Sequence, residues 1–462
     1  MPSPLDQAIQ SLVGMFTAPG QPLETVPHRL PQGVEVPMFK GAPATLPDYI
    51  AHYCTQHGDT LFLVDGEHRL TFGETLALAR ELAGGLVAGH GVRPGDRVGI
   101  AARNSASWIV AYCAVAMAGG VATLVNGFWN GTEMAEAIRM VGCRVVIADE
   151  GRMARLAGQD IGGATLLPLL NDVHPREGLA ALGARGGDAA TDLPAIAADD
   201  IATILFTSGS TGQSKGAFSN HRSVVQGVFN YIAQSMIGLA LLAQKGEASG
   251  QQPCTLMNVP LFHVTGEIPM FLQSFAIGRK LVIMPRWDAE EAMRLIEREK
   301  VTYFTGVPLM SIEIATHPDR SKYDLSSCIS MAAGGAPRPA GHVQKIKDSL
   351  GDKGFPLLGY GLTETNAVGC GNFNENYLAK PSSTGPASQP IVGLAILDDA
   401  GAELPQGEVG EVCIRSVAVF QGYWNNEEAT RAAFTDDGWF RTGDLGYLDE
   451  DGYLFIVDRK KD

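Results

Sequence analysis

Residues 207–216 read Thr-Ser-Gly-Ser-Thr-Gly-Gln-Ser-Lys-Gly, a run of hydroxyl residues and glycines that closes on a lysine. Glycines let backbone N–H groups approach an oxyanion, hydroxyls add donors, and a lysine supplies a point charge. This composition predicts a phosphate cradle, although the order of residues differs from that of a Walker loop. A flexible Ser/Gly turn is the alternative for the loop taken alone. The apolar run at 201–206 predicts a buried strand before the loop, and 221–233 has helical spacing after it.

Five more segments follow the loop along the chain: PLFHVTG at 260–266, GGAP at 334–337, GYGLTET at 359–365, WFRTGDL at 439–445 and GYLFIVDRKKD at 452–462. Together with the loop they resemble the adenylate-forming superfamily, which includes acyl- and aryl-CoA ligases, peptide-synthetase adenylation domains and beetle luciferases. The resemblance extends from about residue 45 to the last residue. Residues 126–130 (NGFWN) depart from the Asn-Pro pattern usual there and look like bacterial fatty-acid or hydrophobic-carboxylate CoA ligases.

The resemblance implies a site for ATP and Mg²⁺, in which the loop holds the β- and γ-phosphates. Thr363 would place a hydroxyl near the α-phosphate and Glu364 a carboxylate on the metal, which prefers oxygen ligands. Tyr360 would stack on adenine, while Asp444 and Arg459 would bind the ribose. A helix cap at 363–364 and a plain turn at 444 are the structural alternatives. The expected nucleotide-binding residues are Thr207, Ser208, Gly209, Ser210, Thr211, Gly212, Lys215, Gly335, Ala336, Pro337, Tyr360, Gly361, Thr363, Asp444 and Arg459.

The same resemblance places the carboxylic acid beside His263, which borders the carboxylate and gates its pocket in the family. A role as a base is not expected, because a carboxylic acid is already ionised at neutral pH. The expected catalytic residues are therefore Lys215, His263, Thr363 and Glu364. The expected pocket residues are His263, Val264, Thr265, Gly306, Val307, Ala333, Ala367 and Val368. None of these pocket residues carries the acidic side chain that an amino-acid substrate would need.

The function predicted from these motifs is an ATP-dependent carboxylate–CoA ligase that forms an acyl-adenylate and then a thioester. A medium- to long-chain fatty acid or another apolar acid is the expected substrate, with aryl acids next. Two alternatives share the motifs: an acyl-AMP ligase that loads a carrier protein, and a non-catalytic nucleotide-binding protein. Small-molecule acid and coenzyme A are the expected partners, and the oligomeric state stays open, with a homodimer as one alternative.

Composition narrows the class of protein. The formal net charge of −15 argues against a nucleic-acid surface, and 45% hydrophobic with 18% charged residues is typical of a soluble α/β enzyme. Seven cysteines without a C-x-x-C pair indicate reduced, buried thiols and a cytoplasmic location. The uncharged stretch at 109–125 is interrupted by two glycines, which favours a buried helix and strand over a transmembrane segment.

Alternating strand-like and helical runs predict an α/β fold, with two interleaved, helix-covered and mainly parallel sheets over 1–385. Short strands with turns predict a small β-barrel-like subdomain over 386–458. Residues 459–462 match the hinge, centred on Lys461, that in the family precedes a smaller C-terminal domain absent here. A capping box predicts a helix after Thr71, Asp288 caps another, and 1–16 has one apolar helical face suited to docking. The stretches 158–200 and 246–253 are predicted to be loops.

Overall fold

The computed structural model of the chain describes residues 2–183, 192–208, 214–247, 250–335, 338–351 and 354–460. The α-helices are α1 Pro4–Thr17, α2 Leu46–His57, α3 Phe72–His90, α4 Ala106–Met117, α5 Gly131–Val141, α6 Glu150–Leu156, α7 Pro175–Gly178, α8 His221–Gln244, α9 Gln273–Ala276, α10 Ala289–Glu299, α11 Pro308–Thr316, α12 Ala340–Leu350, α13 Asn374–Ala379 and α14 Glu427–Ala432. A π-helix spans Gly266–Leu272, and 3₁₀ turns span Ala180–Leu182, Arg320–Lys322 and Thr363–Thr365.

The strands are β1 Thr25–Arg29, β2 Glu35–Phe39, β3 Leu61–Asp65, β4 His68–Thr71, β5 Arg97–Ala101, β6 Val121–Leu124, β7 Val145–Asp149, β8 Thr165–Leu169, β9 Ile201–Ser208, β10 Ser214–Asn220, β11 Cys254–Met257, β12 Lys280–Ile283, β13 Tyr303–Gly306, β14 Ser330–Ala333, β15 Phe355–Gly361, β16 Gly369–Phe373, β17 Gly393–Leu397, β18 Gly410–Arg415, β19 Gly422–Tyr423, β20 Phe440–Leu448 and β21 Leu454–Arg459. Helices alternate with strands over most of the chain, so the predicted α/β class is confirmed.

The first sheet has seven strands in the order β19, β10, β9, β6, β5, β7 and β8. The five strands from β9 to β8 are parallel, while β10 and β19 are antiparallel at one edge. The glycine-rich segment therefore joins the two strands of a hairpin, in which Lys215 of β10 pairs with Thr207 of β9. The sequence had predicted a helix as the next element after the loop. Strand β10 was missed because its residues, SKGAFSN, are mostly small or polar.

The second sheet has eight strands in the order β16, β15, β14, β13, β11, β12, β3 and β4. Its inner strands are parallel, and an antiparallel strand closes each edge. The hairpin β3–β4 comes from near the start of the chain, before any strand of the first sheet, whereas the other six strands follow that sheet's main body. The two sheets are thus interleaved along the chain.

Beyond residue 386, strands β17, β18, β20 and β21 form an antiparallel sheet in that order. In the described residues this sheet is open, because β17 and β21 are both edge strands and do not pair with each other. The barrel-like subdomain expected from the short strands is therefore a four-stranded sheet. The short strand β19 leaves it to pair with β10 of the first sheet.

Helix α4 is the most deeply packed helix in the described structure, since every one of its twelve residues is buried. It leads through Gly119 and Gly120 into β6, which is also buried, so the predicted buried helix and strand are confirmed. Helix α8 has the length and the mean hydropathy (1.3) of a membrane span by composition alone. More than half of its apolar window, 56%, is buried by other parts of the fold, as is typical of a core helix.

One predicted loop was wrong in part. Within 158–200, residues 165–169 form β8, which pairs with β7 along its whole length at the edge of the first sheet. Its sequence, TLLPL, contains a proline that argues against a central strand but is tolerated at an edge. The predicted helix starts hold: Thr71 and Glu74 form a capping box at α3, and Asp288 caps α10. Helix α1 forms as expected, with Leu12 buried on its apolar face.

Candidate active site

A cleft of about 1690 Å³ lies where strands of the first and second sheets end. Residues of the sheet formed by β17, β18, β20 and β21 also line it. In a parallel sheet, ligands bind outside the carboxyl ends of the strands, because the connecting loops leave a crevice there. Four strand ends of the second sheet contribute to its wall: those of β11, β12, β13 and β14. The first sheet contributes Thr207 and Lys215 from its hairpin. Strand β15 contributes Gly361, and the turn after it contributes Thr363 and Glu364.

Glu364 lines this cleft and is only 8% exposed. The Tyr423 hydroxyl donates a hydrogen bond of 2.8 Å to its Oε1. The Nζ atom of Lys215 lies 4.9 Å from the centre of the Tyr423 ring, a cation–π distance. Burial raises the pKa of Glu364, whereas the hydrogen bond from Tyr423 and the charges of Lys215 and Arg459 lower it. A buried acid, a phenol and a lysine therefore form one connected group.

The second acid expected at the nucleotide, Asp444, is 4% exposed and lies on β20. Its Oδ1 is 3.0 Å from Nε of Arg459, which pairs with it across β20 and β21. Its Oδ2 accepts a hydrogen bond of 2.6 Å from the Tyr360 hydroxyl. Burial and the neighbouring Asp444 charge raise the pKa of Tyr360 well above its ordinary value, so this phenol stays protonated and donates. The structure thus brings together the three residues expected around the adenosine.

His263 also lines the cleft, in the segment that precedes the π-helix. Its ring is exposed to the cleft and packs against Phe262 at a centroid distance of 4.8 Å. The surrounding walls still remove part of its hydration, which lowers the pKa of His263 and favours the neutral imidazole at neutral pH. Phe128 packs edge-on against Phe262 at 5.3 Å, so three rings line this part of the wall.

Asn104 holds the His263 segment in place from the first sheet. Its Nδ2 donates to the carbonyl oxygens of Met257 (3.1 Å) and Val259 (2.8 Å), and its Oδ1 accepts from the backbone N–H of Leu261 at 2.9 Å. One buried amide therefore satisfies three backbone groups of the cleft wall, which fixes the course of the chain before His263.

The predicted acid pocket is only partly assembled at the cleft. His263, Val264, Thr265, Gly306 and Val307 line it. Ala333, Ala367 and Val368 are not among the residues that line the cleft. All three are buried in the core, where Ala333 packs with Leu358 and Val343, and Ala367 and Val368 pack in the large central cluster. At Ala367 the backbone has a φ of 64°, and its carbonyl accepts a 2.6 Å hydrogen bond from Tyr231.

Several lining residues were not predicted from the sequence. Tyr423 follows a glycine in a segment without a recognised motif, and only its contact with Glu364 reveals its place. Arg286 and Trp287 follow β12 and flank the part of the wall formed by Gly306 and Val307. The sequence signal that could have identified Arg286 and Trp287 is their position just after a strand of the second sheet. Arg286 therefore adds a guanidinium to the lining of the cleft.

The described lining of the cleft carries eight Lys and Arg side chains against three Asp and Glu, although the whole chain has a net charge of −15. Several of these cations are paired, such as Arg441 and Lys460 with Glu411 at 2.9 and 3.0 Å. The local excess of positive charge suits a polyanionic ligand such as a nucleotide.

Some expected site residues cannot be placed. Gly209, Ser210, Thr211, Gly212, Ala336, Pro337 and Lys461 lie outside the described residues, as does the side chain of Ser208, which ends β9. Gly335, with a φ of 74°, lines the cleft beside Gly334. Within the described ranges, no group of three or more His, Cys, Asp and Glu side chains could hold a metal ion. Magnesium can also be bound by one carboxylate together with phosphate oxygens of the substrate, and Glu364 fits this second kind of site.

Comparison with known proteins settles the family. Residues 50–424 match the family described as AMP-binding enzyme. The chain belongs to the AMP-binding enzyme family. This confirms the resemblance seen in the motifs, and the match covers the glycine-rich segment 207–216, the His263 segment and Glu364.

Relatives of this AMP-binding enzyme include 4-coumarate–CoA ligase 5 of Oryza sativa, 31% identical over 90% of the chain and 76% of that protein. A Rhodococcus jostii CoA ligase named for a methyl-dioxo-octahydroindenyl propanoyl group is 30% identical over 91% of the chain and 80% of its own length. Among solved structures, a fatty acyl CoA synthetase of Mycobacterium tuberculosis superposes with a TM-score of 0.79 at 27% identity, covering 91% of this chain and 79% of that one. ATP-bound MatB of Rhodopseudomonas palustris gives a TM-score of 0.76 at 27% identity over 89% and 78% of the two chains.

Proposed function

We propose that this enzyme uses ATP to convert an apolar carboxylic acid into an acyl-adenylate and then transfers the acyl group to coenzyme A. The family and the named relatives make it an AMP-forming acid–thiol ligase. The observation that carries the proposal is that Lys215, Glu364 and His263 line one cleft, with Asp444 and Arg459 paired beside it. Such an arrangement offers separate groups for phosphate, metal, carboxylate and ribose.

The proposed chemistry begins with attack of the acid's carboxylate oxygen on the α-phosphorus of ATP, which expels pyrophosphate. Lys215 and Thr207 would bind phosphate oxygens, and Thr363 would donate to the α-phosphate. A magnesium ion, when bound at Glu364, neutralises charge on the phosphates. Asp444 would accept the ribose hydroxyls, with Arg459 holding its carboxylate in position. Because these groups are fixed before the reaction, they stabilise the charge that develops at phosphorus.

We propose that the carboxylic acid substrate binds against the part of the cleft wall around His263. Its neutral imidazole would donate a hydrogen bond to the substrate carboxylate rather than remove a proton. Val264, Val307, Phe262 and Met310 offer apolar surface for the rest of the acid. A fatty, aryl or fused-ring acid would fit this surface, and the relatives' names include an aryl acid and a bicyclic propanoyl group. We place the enzyme in the cytoplasm because all seven cysteines are free and buried.

The test is acyl-hydroxamate formation from a mixed library of apolar acids, with ATP, Mg²⁺ and hydroxylamine, read by mass spectrometry. Acid-dependent hydroxamates and pyrophosphate are expected, and Lys215→Met should reduce both. Lys245→Met is the matched control, because Lys245 is exposed and forms an ion pair with Glu375 at the surface, 3.3 Å away. The absence of any acid-dependent product would contradict the proposal. Coenzyme A and a phosphopantetheinyl carrier protein, offered in parallel, would identify the acceptor.

A further inference from the structure

Asn258 is a buried amide in the wall of the cleft that the proposed reaction does not use. It directly follows β11, an inner strand of the second sheet, and is 8% exposed. In the described structure its Nδ2 contacts the Sδ atom of Met310 at 3.2 Å, and its Oδ1 has no hydrogen-bond partner. A thioether sulfur is only a weak acceptor. The hydrogen-bonding capacity of this amide is therefore almost unused.

A second asparagine of the same cleft shows what a structural amide does here. Asn104 uses both of its polar atoms to bind backbone groups of the wall. Asn258 supports no backbone group among the described residues. A buried amide without good partners costs free energy, so holding the fold together does not account for Asn258. A group that enters the cleft and hydrogen-bonds this amide removes that cost.

The contact between Asn258 and Met310 depends on the glycine that ends β13. A Cβ added at Gly306 would lie 2.9 Å from the Met310 sulfur and 3.2 Å from Asn258 Nδ2. Glycine at this position therefore lets the Met310 side chain reach the amide. Met310 also lines the cleft, and a methionine side chain is unbranched and flexible, so its sulfur can give way to a ligand group.

We propose that Asn258 determines specificity by hydrogen-bonding a neutral oxygen, of a hydroxyl or keto group, on the carbon skeleton of the acid. This inference rests on the proposed function, which places that skeleton along the apolar wall beside His263. Asn258 Nδ2 would donate to the substrate oxygen in place of the Met310 sulfur. A second carboxylate is disfavoured, because a neutral amide beside a thioether does not offset its desolvation. The preferred substrates are therefore apolar acids that carry an oxygen substituent.

Competition between paired acids tests this inference. The enzyme receives ATP, Mg²⁺, hydroxylamine and equal amounts of a straight-chain acid and its hydroxy or oxo analogue, and mass spectrometry compares the two hydroxamates. The substituent moves along the chain from one pair to the next. For at least one position, kcat/KM of the oxygenated acid should exceed that of the parent acid about ten- to a hundredfold, the value of a hydrogen bond to a buried amide. The hydroxy and oxo pairs identify which oxygen is preferred.

Asn258→Leu keeps the volume of the side chain and removes both polar atoms, so the preference for the oxygenated acid should disappear. Asn230→Leu is the matched control. Asn230 is 2% exposed and also has an Oδ1 without a partner, but it is not among the residues that line the cleft, so the preference should persist in this variant. Asn258→Ala needs no extra room and should lose the preference too, which keeps the test decisive if the leucine variant does not fold.

Two results would overturn the role of Asn258. One is an equal kcat/KM for the paired acids at every position in the wild-type enzyme, and the other is an undiminished preference in the Asn258 variants. In either case the parent acids still form hydroxamates, so the proposed ligase function stands while this inference fails. If no acid gives a hydroxamate, the proposed function itself is contradicted, and the inference falls with it.

Discussion

At the residue scale, Glu364 combines burial with two nearby positive charges. Burial removes most of the hydration of this carboxylate. In exchange it accepts a hydrogen bond from Tyr423 and lies near the positive charges of Lys215 and Arg459. Burial outweighs these contacts and raises the pKa of Glu364, so a bound cation would favour the ionised carboxylate. In the proposed reaction this carboxylate would hold a cation against phosphate oxygens, and the hydrogen bond from Tyr423 would fix its direction.

Replacing this charge tests the arrangement. Glu364→Gln keeps the shape and removes the anion, so the barrier to adenylation should rise by about 2–4 kcal/mol, roughly 30- to 1000-fold in rate. Tyr423→Phe leaves the charge and removes one hydrogen bond, so its effect should be about tenfold. Carboxylate-dependent exchange of pyrophosphate into ATP measures both. An equal decrease in the exchange rate in the two variants would show that Tyr423 acts on the phosphates directly.

At the element scale, strand β15 leads into the turn that carries Thr363 and Glu364. Two glycines of this strand differ in how closely neighbouring atoms pack against them. A Cβ added at Gly361 would lie 2.1 Å from the carbonyl oxygen of Ala367, whereas one added at Gly359 meets no atom within 4 Å. Gly361→Ala should therefore lower the free energy of unfolding by about 3 kcal/mol, because the backbone must move. Gly359→Ala should change it by less than about 0.5 kcal/mol. Denaturant unfolding of both variants is the measurement, and similar stabilities would contradict this packing.

The π-helix contains a second element-scale feature, the fully buried Glu267. Its Oε1 accepts a 2.7 Å hydrogen bond from Tyr112, while its Oε2 has no partner. Burial raises the pKa of Glu267 from 4.5 to about 7. The folded state therefore holds this proton more tightly than the unfolded state, and stability falls as pH rises from 4.5 to about 7.

Glu267→Gln removes this titration while keeping an acceptor for Tyr112. Above the folded-state pKa, the variant should be more stable than the wild type by about 3 kcal/mol. The difference should shrink as the pH falls from about 7 to 4.5 and vanish below 4.5, where Glu267 is protonated in both states. Unfolding at several pH values measures it, with the exposed Glu428→Gln as a control that should show no such trend. A constant difference across pH would mean that Glu267 stays in one protonation state.

The sequence predicted several helices correctly but missed two strands. Caps and apolar periodicity identified α1, α3, α4 and α10, because local hydrogen bonds and burial determine them. Strands β8 and β10 were missed, since one contains a proline and the other mostly small or polar residues, and both depend on a neighbouring strand. Likewise, the motifs predicted Glu364 and Asp444, but not Tyr423 or the burial of Ala367. Those features arise from contacts between distant parts of the chain.

At the scale of the whole molecule, Asn104 connects the first sheet to the wall of the cleft in the second. Asn104→Ala would leave three buried backbone groups unpaired and should cost about 2–4 kcal/mol of unfolding free energy. It should also raise KM for the acid, because the His263 segment loses its support. Asn130→Ala, which removes an exposed cap of α5, should cost about 1 kcal/mol and leave KM unchanged. Unfolding and steady-state kinetics test both, and an unaltered KM in Asn104→Ala would contradict the supporting role.

The interleaved order of the strands also has a consequence for synthesis on the ribosome. Strand β3 pairs with β12, whose residues emerge more than two hundred positions later, as the register of Leu63 with Leu281 shows. At a translation rate of about 5–20 residues per second, the apolar hairpin β3–β4 waits roughly ten to forty seconds for its partner. The first sheet can pair most of its strands during that interval, whereas the second cannot be completed. The nascent chain therefore presents an unpaired apolar edge for many seconds, a state that invites chaperone binding and makes synthesis rate a determinant of yield.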